Sequence, residues 1–465
     1  MERRFKLREN GTSVQQELLA ALTTFSTMAY IIFVNPAILS QTGMDFQSVL
    51  IATCLAAAIG SSLIGLLANY PFAQAPGMGL NAFFVYTVVF QSGYSWQGAL
   101  AIVFISGLLF ILLTLSGWRS AIINAFPRTI LLAIPPGIGL FITLIGLNNA
   151  GIIDVNQGPI IDILLGDTAG NTDALIEQIQ QAPPQILEFG DFRQPEIMLA
   201  ILGFALMAAM AIRRVKGAIL WGIIAVTILG LALGVSPLPD QIYSFDLDLS
   251  PTFLKLDFGE LFSTSDHSLW WLLVDLFTII IAFTMVDLFD TLGTLYGTAD
   301  EGGFLDKDGK LPRLNRALMA DAMATTFGAL FGTSTTTTYI ESSTGIAAGG
   351  RTGLTAVFVA ILFLLCIFLS PLAGMIPAYA TSPALIMVGV YMVSSVTKIE
   401  FQKLDQAIPA FLVIVLMPLS YSIANGIGAG IIFYTLIQLV KGDFKQLNPV
   451  MVVISVLFLF KFVVL

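Results

Sequence analysis

The stretch from Gly332 to Gly353, GTSTTTTYIESSTGIAAGGRTG, decides the fold, because it is polar yet lies between two long apolar segments. Its four consecutive threonines, Thr335 to Thr338, favour extended backbone over helix. The small residues from Ser342 to Ala348 allow only a short helix before Gly349. Inside a membrane, interrupted backbone is tolerated only where protein or a polar cavity covers it. The stretch therefore has the pattern that marks the binding site of a transporter.

The composition is that of a membrane protein. Of 465 residues, 56% are hydrophobic and 11% are charged, and the mean hydropathy is +0.87. A spanning helix needs about 20 mostly apolar residues. The predicted spans are 16–38, 47–69, 97–117, 127–150, 195–212, 217–235, 269–297, 314–332, 352–373, 381–397, 405–421 and 422–440, and 76–90 and 339–348 are predicted half-helices.

These fourteen elements predict an all-α, multi-pass protein in the lipid bilayer of the cell membrane. A further apolar stretch, 447–465, either spans the membrane or does not; the pattern leaves both open. The first apolar run is long and has no small-residue cleavage site, so we expect no cleavable signal peptide.

The basic residues predict the orientation. Nearly all of the 21 lysines and arginines lie before the first element or after an even-numbered one, as do Arg3, Arg119 and Lys307. By the positive-inside rule the N-terminus is cytoplasmic. The net charge of −9 comes largely from the opposite loops, 151–194 and 236–267, and does not suggest a nucleic-acid partner.

The two halves of the chain share a pattern. AQAPGMGLNAFFVYTVV (73–89) is the third element and TTTTYIESSTGIAAGG (335–350) is the tenth, so each is third in a block of seven. Because seven is odd, the second block enters the membrane in the opposite orientation. This predicts a 7+7 inverted repeat with half-helices and short extended segments in elements 3 and 10.

Four carboxylates, Asp287, Asp290, Asp321 and Glu341, fall inside predicted membrane elements. Each costs about 3 kcal/mol at the bilayer centre, and no lysine or arginine lies nearby at the same depth. They are therefore neutralised by protons, by hydrogen bonds or by a bound cation, and all four are candidates for proton coupling. For Asp321 the alternative is a structural hydrogen bond to the interrupted backbone.

Two polar residues are the main candidates for binding a ligand. The Glu341 carboxylate can accept two N–H bonds from a planar heterocycle. Asn81 can both donate and accept, or it can cap local backbone. Further candidate contacts are Gly79, Leu80, Phe83, Tyr339, Ile340, Thr27 and Tyr30; Gly79 is also a packing glycine, and Phe83 is also a core aromatic. We expect no catalytic residue, no metal site and no cofactor.

Four motifs together resemble one family. MAYIIFVNPAIL (28–39), APGMGLNAFF (75–84), DLFDTLGTL (287–295) and GTSTTTTYIESSTGIAAGGRTGLTA (332–356) resemble the adenine/guanine/hypoxanthine permeases of the azaguanine-permease type. The similarity covers nearly the whole chain. These permeases are distantly similar to the uracil and xanthine/uric acid permeases.

The resemblance implies import of purine nucleobases by proton symport. Its binding residues fall on Asn81, Asp287 and Glu341, and Asp290 is the second acidic position of the eighth element. It also implies a core domain of residues 1–117 and 268–374 and a gate domain of residues 118–267 and 375–465. The sequence leaves the oligomeric state open; only analogy with the related fold suggests a homodimer that forms through gate helices.

Three other functions are weighed against a purine permease. A transporter of the same fold could carry uracil, xanthine or a small anion, but an anion site needs positive charge. A channel fits interrupted helices around one central site less well. An intramembrane hydrolase would use Asp287, Asp290 or Asp321 to activate water, yet the nearest pair lies on one helix. We expect no enzyme, and the preferred purine stays open.

Overall fold

A computed structural model describes residues 1–116, 126–155, 187–236, 247–262, 269–307, 309–443 and 447–464. Arg119, most of the acidic loop 151–194 and part of the acidic loop 236–267 therefore lie outside the described residues.

The described residues form helices and four short strands. The helices are α1 Glu2–Phe5, α2 Val14–Met28, α3 Ile31–Leu39, α4 Phe46–Leu67, α5 Met78–Ala82, α6 Trp96–Ser116, α7 Arg128–Asn149, α8 Pro195–Ile212, α9 Ala218–Ala232, α10 Leu269–Gly302, α11 Leu314–Phe331, α12 Ser342–Ala347, α13 Gly353–Cys366, α14 Ser370–Gly374, α15 Ala378–Val393, α16 Leu404–Leu419, α17 Ile423–Lys441 and α18 Pro449–Val464. The strands are β1 Gln74–Pro76, β2 Ile153–Val155, β3 Leu187–Phe189 and β4 Thr336–Thr338. A π-helix, Phe83–Gln91, continues α5.

The prediction of an all-α membrane protein is confirmed. Within the described part of the chain, nine helices are long and apolar enough to cross a membrane. Shorter apolar helices at Met78–Gln91, Ala218–Ala232 and Leu404–Leu419 occupy the third, seventh and thirteenth predicted positions. The ninth and tenth positions are α11 and the six-residue α12.

One predicted boundary was wrong. We expected the eighth span to end at 297, but α10 continues to Gly302. The residues after 297 include Ala299 and Glu301, which are good helix formers. The helix ends at Gly303, whose φ of +67° is the left-handed conformation that commonly follows a helix.

The C-terminal apolar stretch, left open by the sequence, forms the 16-residue helix α18. Phe458 of α18 is 1% exposed and packs against Gly428 of α17. One turn further along the helix, Lys461 Nζ lies 2.7 Å from Asp275 Oδ1 near the start of α10. Helix α18 therefore packs against both α17 and α10, and with 16 residues it is shorter than the nine helices that are long enough to cross a membrane.

Elements 3 and 10 meet in a two-stranded antiparallel sheet inside the bundle. Strand β1 pairs with β4 in the register Gln74↔Thr338, Ala75↔Thr337 and Pro76↔Thr336, and both strands are fully buried. The pairing continues where Gly77 N–H donates to the Thr335 carbonyl at 2.9 Å. The predicted extended lead-in to the tenth element is thus confirmed, and its ladder partner is the corresponding segment of the other half.

The helices pack in two groups. Helices α2, α4, α6, α10, α11, α12 and α13 pack mainly on one another and on the strand pair. Helices α7, α8, α9, α15, α16 and α17 form the second group. Close backbone approach supports the first group, since a Cβ on Gly353 would lie 2.0 Å from the Gly65 carbonyl oxygen of α4.

Candidate functional site

Glu341 lies between the buried strand β4 and the short helix α12. It is the N-cap residue of α12, and its Oε1 accepts a hydrogen bond from the Tyr30 hydroxyl at 2.8 Å. Strand β4 is buried, but the neighbouring Ile340 is 59% exposed. The carboxylate therefore lies at the place where this segment leaves the protein interior.

Two aspartates of α10 are attached to strand β4. The Thr337 hydroxyl donates to Asp290 Oδ2 at 3.3 Å. Asp287 Oδ2 lies 3.3 Å from the Thr325 hydroxyl, which accepts the Thr336 N–H at 3.1 Å. Asp290 and Glu341 are close enough to interact electrostatically. The threonine run thus places the acids of α10 beside Glu341.

Asn81 lies on α5, the counterpart of α12 in the first half. It is fully buried, and its Oδ1 accepts a hydrogen bond from the Ser334 hydroxyl, just before β4. Asn81 is therefore fixed to the same segment as the α10 carboxylates.

Three neighbours of Asn81 serve packing in this structure. Phe83 is fully buried, and its ring centroid lies 4.6 Å from that of Phe283 on α10. Leu80 is 1% exposed. A Cβ on Gly79 would lie 2.6 Å from Ile138 of α7, so a side chain there would displace that helix.

The remaining candidates brace the two short helices. The Tyr339 hydroxyl donates to the Pro76 carbonyl across the strand pair at 2.5 Å. Thr27 Oγ1 lies 3.1 Å from Thr344 Oγ1 on α12. Together with Tyr30, these contacts fix α12 against the first span.

Asp321 differs from the other carboxylates in its hydrogen-bond partners. It is 0% exposed, and its Oδ1 accepts from Gln74 Nε2 at 3.0 Å and from the Thr291 hydroxyl at 2.9 Å. It therefore joins strand β1 to α10. Both donors are side chains, one of them on the interrupted strand β1, whereas the structural alternative from the sequence was a bond to the interrupted backbone itself.

Glu17 was missed by the sequence analysis. It is 0% exposed, and its carboxylate accepts the N–H groups of Arg351, Thr352 and Thr355 at 3.0, 3.3 and 3.2 Å and the Thr355 hydroxyl at 2.6 Å. These donors follow α12 and begin α13. From the sequence alone, an acidic residue at the start of the first apolar run does not indicate hydrogen-bond donors more than 330 positions away.

Tyr391 was missed as well. It lies on α15, in the second helix group, and interacts electrostatically with Glu341. It is 47% exposed, like the neighbouring Val390 at 52%. A residue of the second group therefore lies within electrostatic range of the carboxylate that the first group holds.

The strand pair thus gathers Asn81, Asp287, Asp290 and Glu341 around one place. Within the described ranges, neither Asp290 nor Glu341 forms an ion pair with a lysine or arginine. Acceptor oxygens and one amide, held in protein and open near Ile340, can bind a planar molecule that offers several N–H donors.

Three comparisons place the chain among known proteins. The profile of the Permease family (Xan_ur_permease) matches residues 15–170 and 168–429. The adenine permease AdeP of Escherichia coli (strain K12) is 41% identical over 463 residues, covering 100% of this chain and 96% of the relative. The guanine/hypoxanthine permease PbuG of Bacillus subtilis (strain 168) is 41% identical over 472 residues, covering 99% of each.

Among solved structures, the transmembrane domain of the cyanobacterium bicarbonate transporter BicA aligns with a TM-score of 0.62. The alignment covers 88% of this chain and 96% of that domain, with 18% sequence identity. At this identity the likeness shows the fold alone, and it agrees with the 7+7 inverted repeat.

Proposed function

This chain belongs to the Permease family, and on that premise we propose that it imports purine nucleobases across the cell membrane by proton symport. As a family member it is a transporter rather than an enzyme. The substrates of its relatives, adenine for one and guanine or hypoxanthine for another, support the purine class. The observation that carries the proposal is the strand pair that holds Asn81, Asp287 and Glu341 around one place.

Glu341 is the proposed acceptor for the ring N–H groups of the purine. Its position at the start of α12, beside the exposed Ile340, supports access for a ligand. The Tyr30 hydroxyl orients the carboxylate. Asn81 supplies an amide and Asp287 a second acceptor. Such a set recognises donors and acceptors on the edge of a planar base through charge-assisted hydrogen bonds.

Glu341 and Asp290 are the proposed proton carriers. They interact electrostatically, and no described lysine or arginine is paired with either. Two carboxylates in one low-dielectric site are stable together when they share a proton. Asp290 can hold the shared proton while the ionised Glu341 accepts the N–H groups of the base, which would link the proton to the substrate.

The proposed transport step moves a core domain (residues 1–117 and 268–374) against a gate domain (residues 118–267 and 375–465). The two helix groups support this division, because strong packing lies within each group. Tyr391 of the second group lies within electrostatic range of Glu341 of the first. Relative movement of the groups would uncover the site alternately on each side.

The test is uptake of radiolabelled adenine, guanine, hypoxanthine, xanthine and uracil in cells that lack their own permeases. We expect purine uptake that an uncoupler abolishes and that is independent of sodium. Glu341→Gln should abolish uptake at unchanged protein level. The control is Glu9→Gln, because Glu9 is 66% exposed in a surface ion pair. Sodium dependence would disprove the proton symport, and preference for uracil or xanthine would disprove the substrate.

A further inference from the structure

A polar cavity of about 380 Å³ opens at one end of the second helix group, far along the chain from the site described above. It lies where α7 begins and α17 ends, which the basic residues predict to be the cytoplasmic end. Its lining includes Arg128, Thr129, Lys398, Asp405, Gln406 and Gln438.

The cavity carries two cations without counter-ions. The two acids at its rim are already neutralised, because Asp405 pairs with Lys441 at 2.7 Å and Glu400 pairs with Lys403. Arg128 and Lys398 form no ion pair with any residue that the structure describes. The cavity therefore attracts an anion.

The start of α7 adds to this attraction. Its N-cap, Pro127, supplies no side-chain cap to this 22-residue helix. The first N–H groups of a helix have no acceptor within it and carry the positive end of the helix dipole. Phosphate groups bind at such helix ends.

Gln438 points independently to a ligand. It is 1% exposed. Its side chain hydrogen-bonds Tyr434, but its Oε1 has no hydrogen-bond partner among the described residues. A buried acceptor without a partner costs about 1–3 kcal/mol. The ligand that fits must therefore carry a hydrogen-bond donor as well as an anionic group.

The surroundings of the cavity are apolar. Phe401 is 42% exposed and Leu404 is 71% exposed, and both lie between the lining residues Lys398 and Gln406. Exposed apolar side chains beside a basic pocket suit acyl chains attached to a polar headgroup.

We propose that this cavity binds the headgroup of a phospholipid. The phosphate lies against Arg128, Lys398 and the start of α7. A hydroxyl or ammonium group of the same headgroup donates to Gln438 Oε1. The ligand is thus a phosphodiester that bears a donor, as phosphatidylglycerol and phosphatidylethanolamine do and phosphatidylcholine does not.

Lipid binding to the full-length protein in detergent tests the proposal, by native mass spectrometry and by the midpoint of thermal unfolding. We expect phosphatidylglycerol and phosphatidylethanolamine to bind and stabilise more than phosphatidylcholine. The double variant Arg128→Gln/Lys398→Gln should bind phosphatidylglycerol about thirtyfold more weakly. Gln438→Leu should remove the preference over phosphatidylcholine.

The matched control is Arg213→Gln/Arg214→Gln, which removes two exposed cations that follow α8. Equal loss of lipid binding in the control would show general attraction to basic residues and overturn the proposal. If inorganic phosphate stabilises the protein as much as phosphatidylglycerol does, the cavity binds free phosphate. That result would overturn the proposal that its ligand is a phospholipid. Mass spectrometry on the folded fraction keeps the test valid if a variant loses stability.

Discussion

The Tyr30 hydroxyl donates a hydrogen bond of 2.8 Å to Oε1 of Glu341, although 311 positions separate the two residues in the chain. Tyr30 is 2% exposed, so its position is set by the packing between α2 and α3. The bond gives the carboxylate one orientation before a substrate arrives. Preorganisation of this kind lowers the entropy that binding would otherwise cost.

Tyr30→Phe removes this bond and leaves the ring in place. We expect the KM for purine uptake to rise about tenfold, since a hydrogen bond to a charged group contributes about 1.5–3 kcal/mol. Initial uptake rates at several substrate concentrations measure it. Tyr86→Phe is the control, because the Tyr86 hydroxyl bonds Gln41 on an exposed part of the chain. Equal KM changes in both variants would contradict the role of Tyr30.

Glu17→Gln tests the carboxylate that holds the end of α12. An amide cannot accept all four donors, and its own N–H group would face backbone N–H groups. We expect a loss of about 2 kcal/mol in stability and a higher KM, because α12 carries Glu341 at its other end. Thermal unfolding and uptake measure the two effects, with the exposed Glu9→Gln as control. A normal KM in Glu17→Gln would show that Glu17 contributes to folding stability and not to substrate binding.

Asp321→Asn separates a structural role from proton transport. An asparagine keeps an acceptor oxygen for Gln74 and Thr291. We expect lower stability but a normal pH dependence of uptake, which falls as the external proton concentration falls. Asp290→Asn should instead flatten the pH profile. A flat profile in Asp321→Asn would make Asp321 a proton carrier.

The ion pair of Lys461 and Asp275 connects α18 to α10. The side chains are 16% and 5% exposed, so Lys461→Met alone should destabilise the protein by about 3–5 kcal/mol. Lys461→Met/Asp275→Leu should recover most of that loss, because no buried charge is left alone. Lys441→Met is the control, since its pair with Asp405 is more exposed and contributes at most about 1 kcal/mol. A double variant no more stable than the single one would contradict this account.

Gly353→Ala should destabilise the contact between α13 and α4. The added Cβ would lie 2.0 Å from the Gly65 carbonyl oxygen, so the helices must separate. Gly293→Ala in α10 is the control: nothing lies within 4 Å of its Cβ, and alanine favours helix by about 1 kcal/mol. Thermal unfolding compares the two. Similar stability of both variants would mean that the close helix approach contributes little.

The sequence predicted the elements better than their contacts. Apolar run length located the spans, because a helix in lipid must bury its own backbone hydrogen bonds. The threonine run predicted extended backbone at β4 from side-chain shape alone. The end of α10 was misplaced because apolar run length marks where a span ends, whereas the helix continues beyond the span until Gly303.

By itself the sequence determined that this chain is a membrane protein, that two interrupted elements occupy matching places in its halves, and that four carboxylates fall inside predicted membrane elements. These follow from local composition and spacing. Only the tertiary structure decided that β1 pairs with β4, that Tyr30 meets Glu341 and that Glu17 holds the end of α12. Such contacts join positions more than 260 residues apart, and they are specified by packing of the whole bundle rather than by any local pattern.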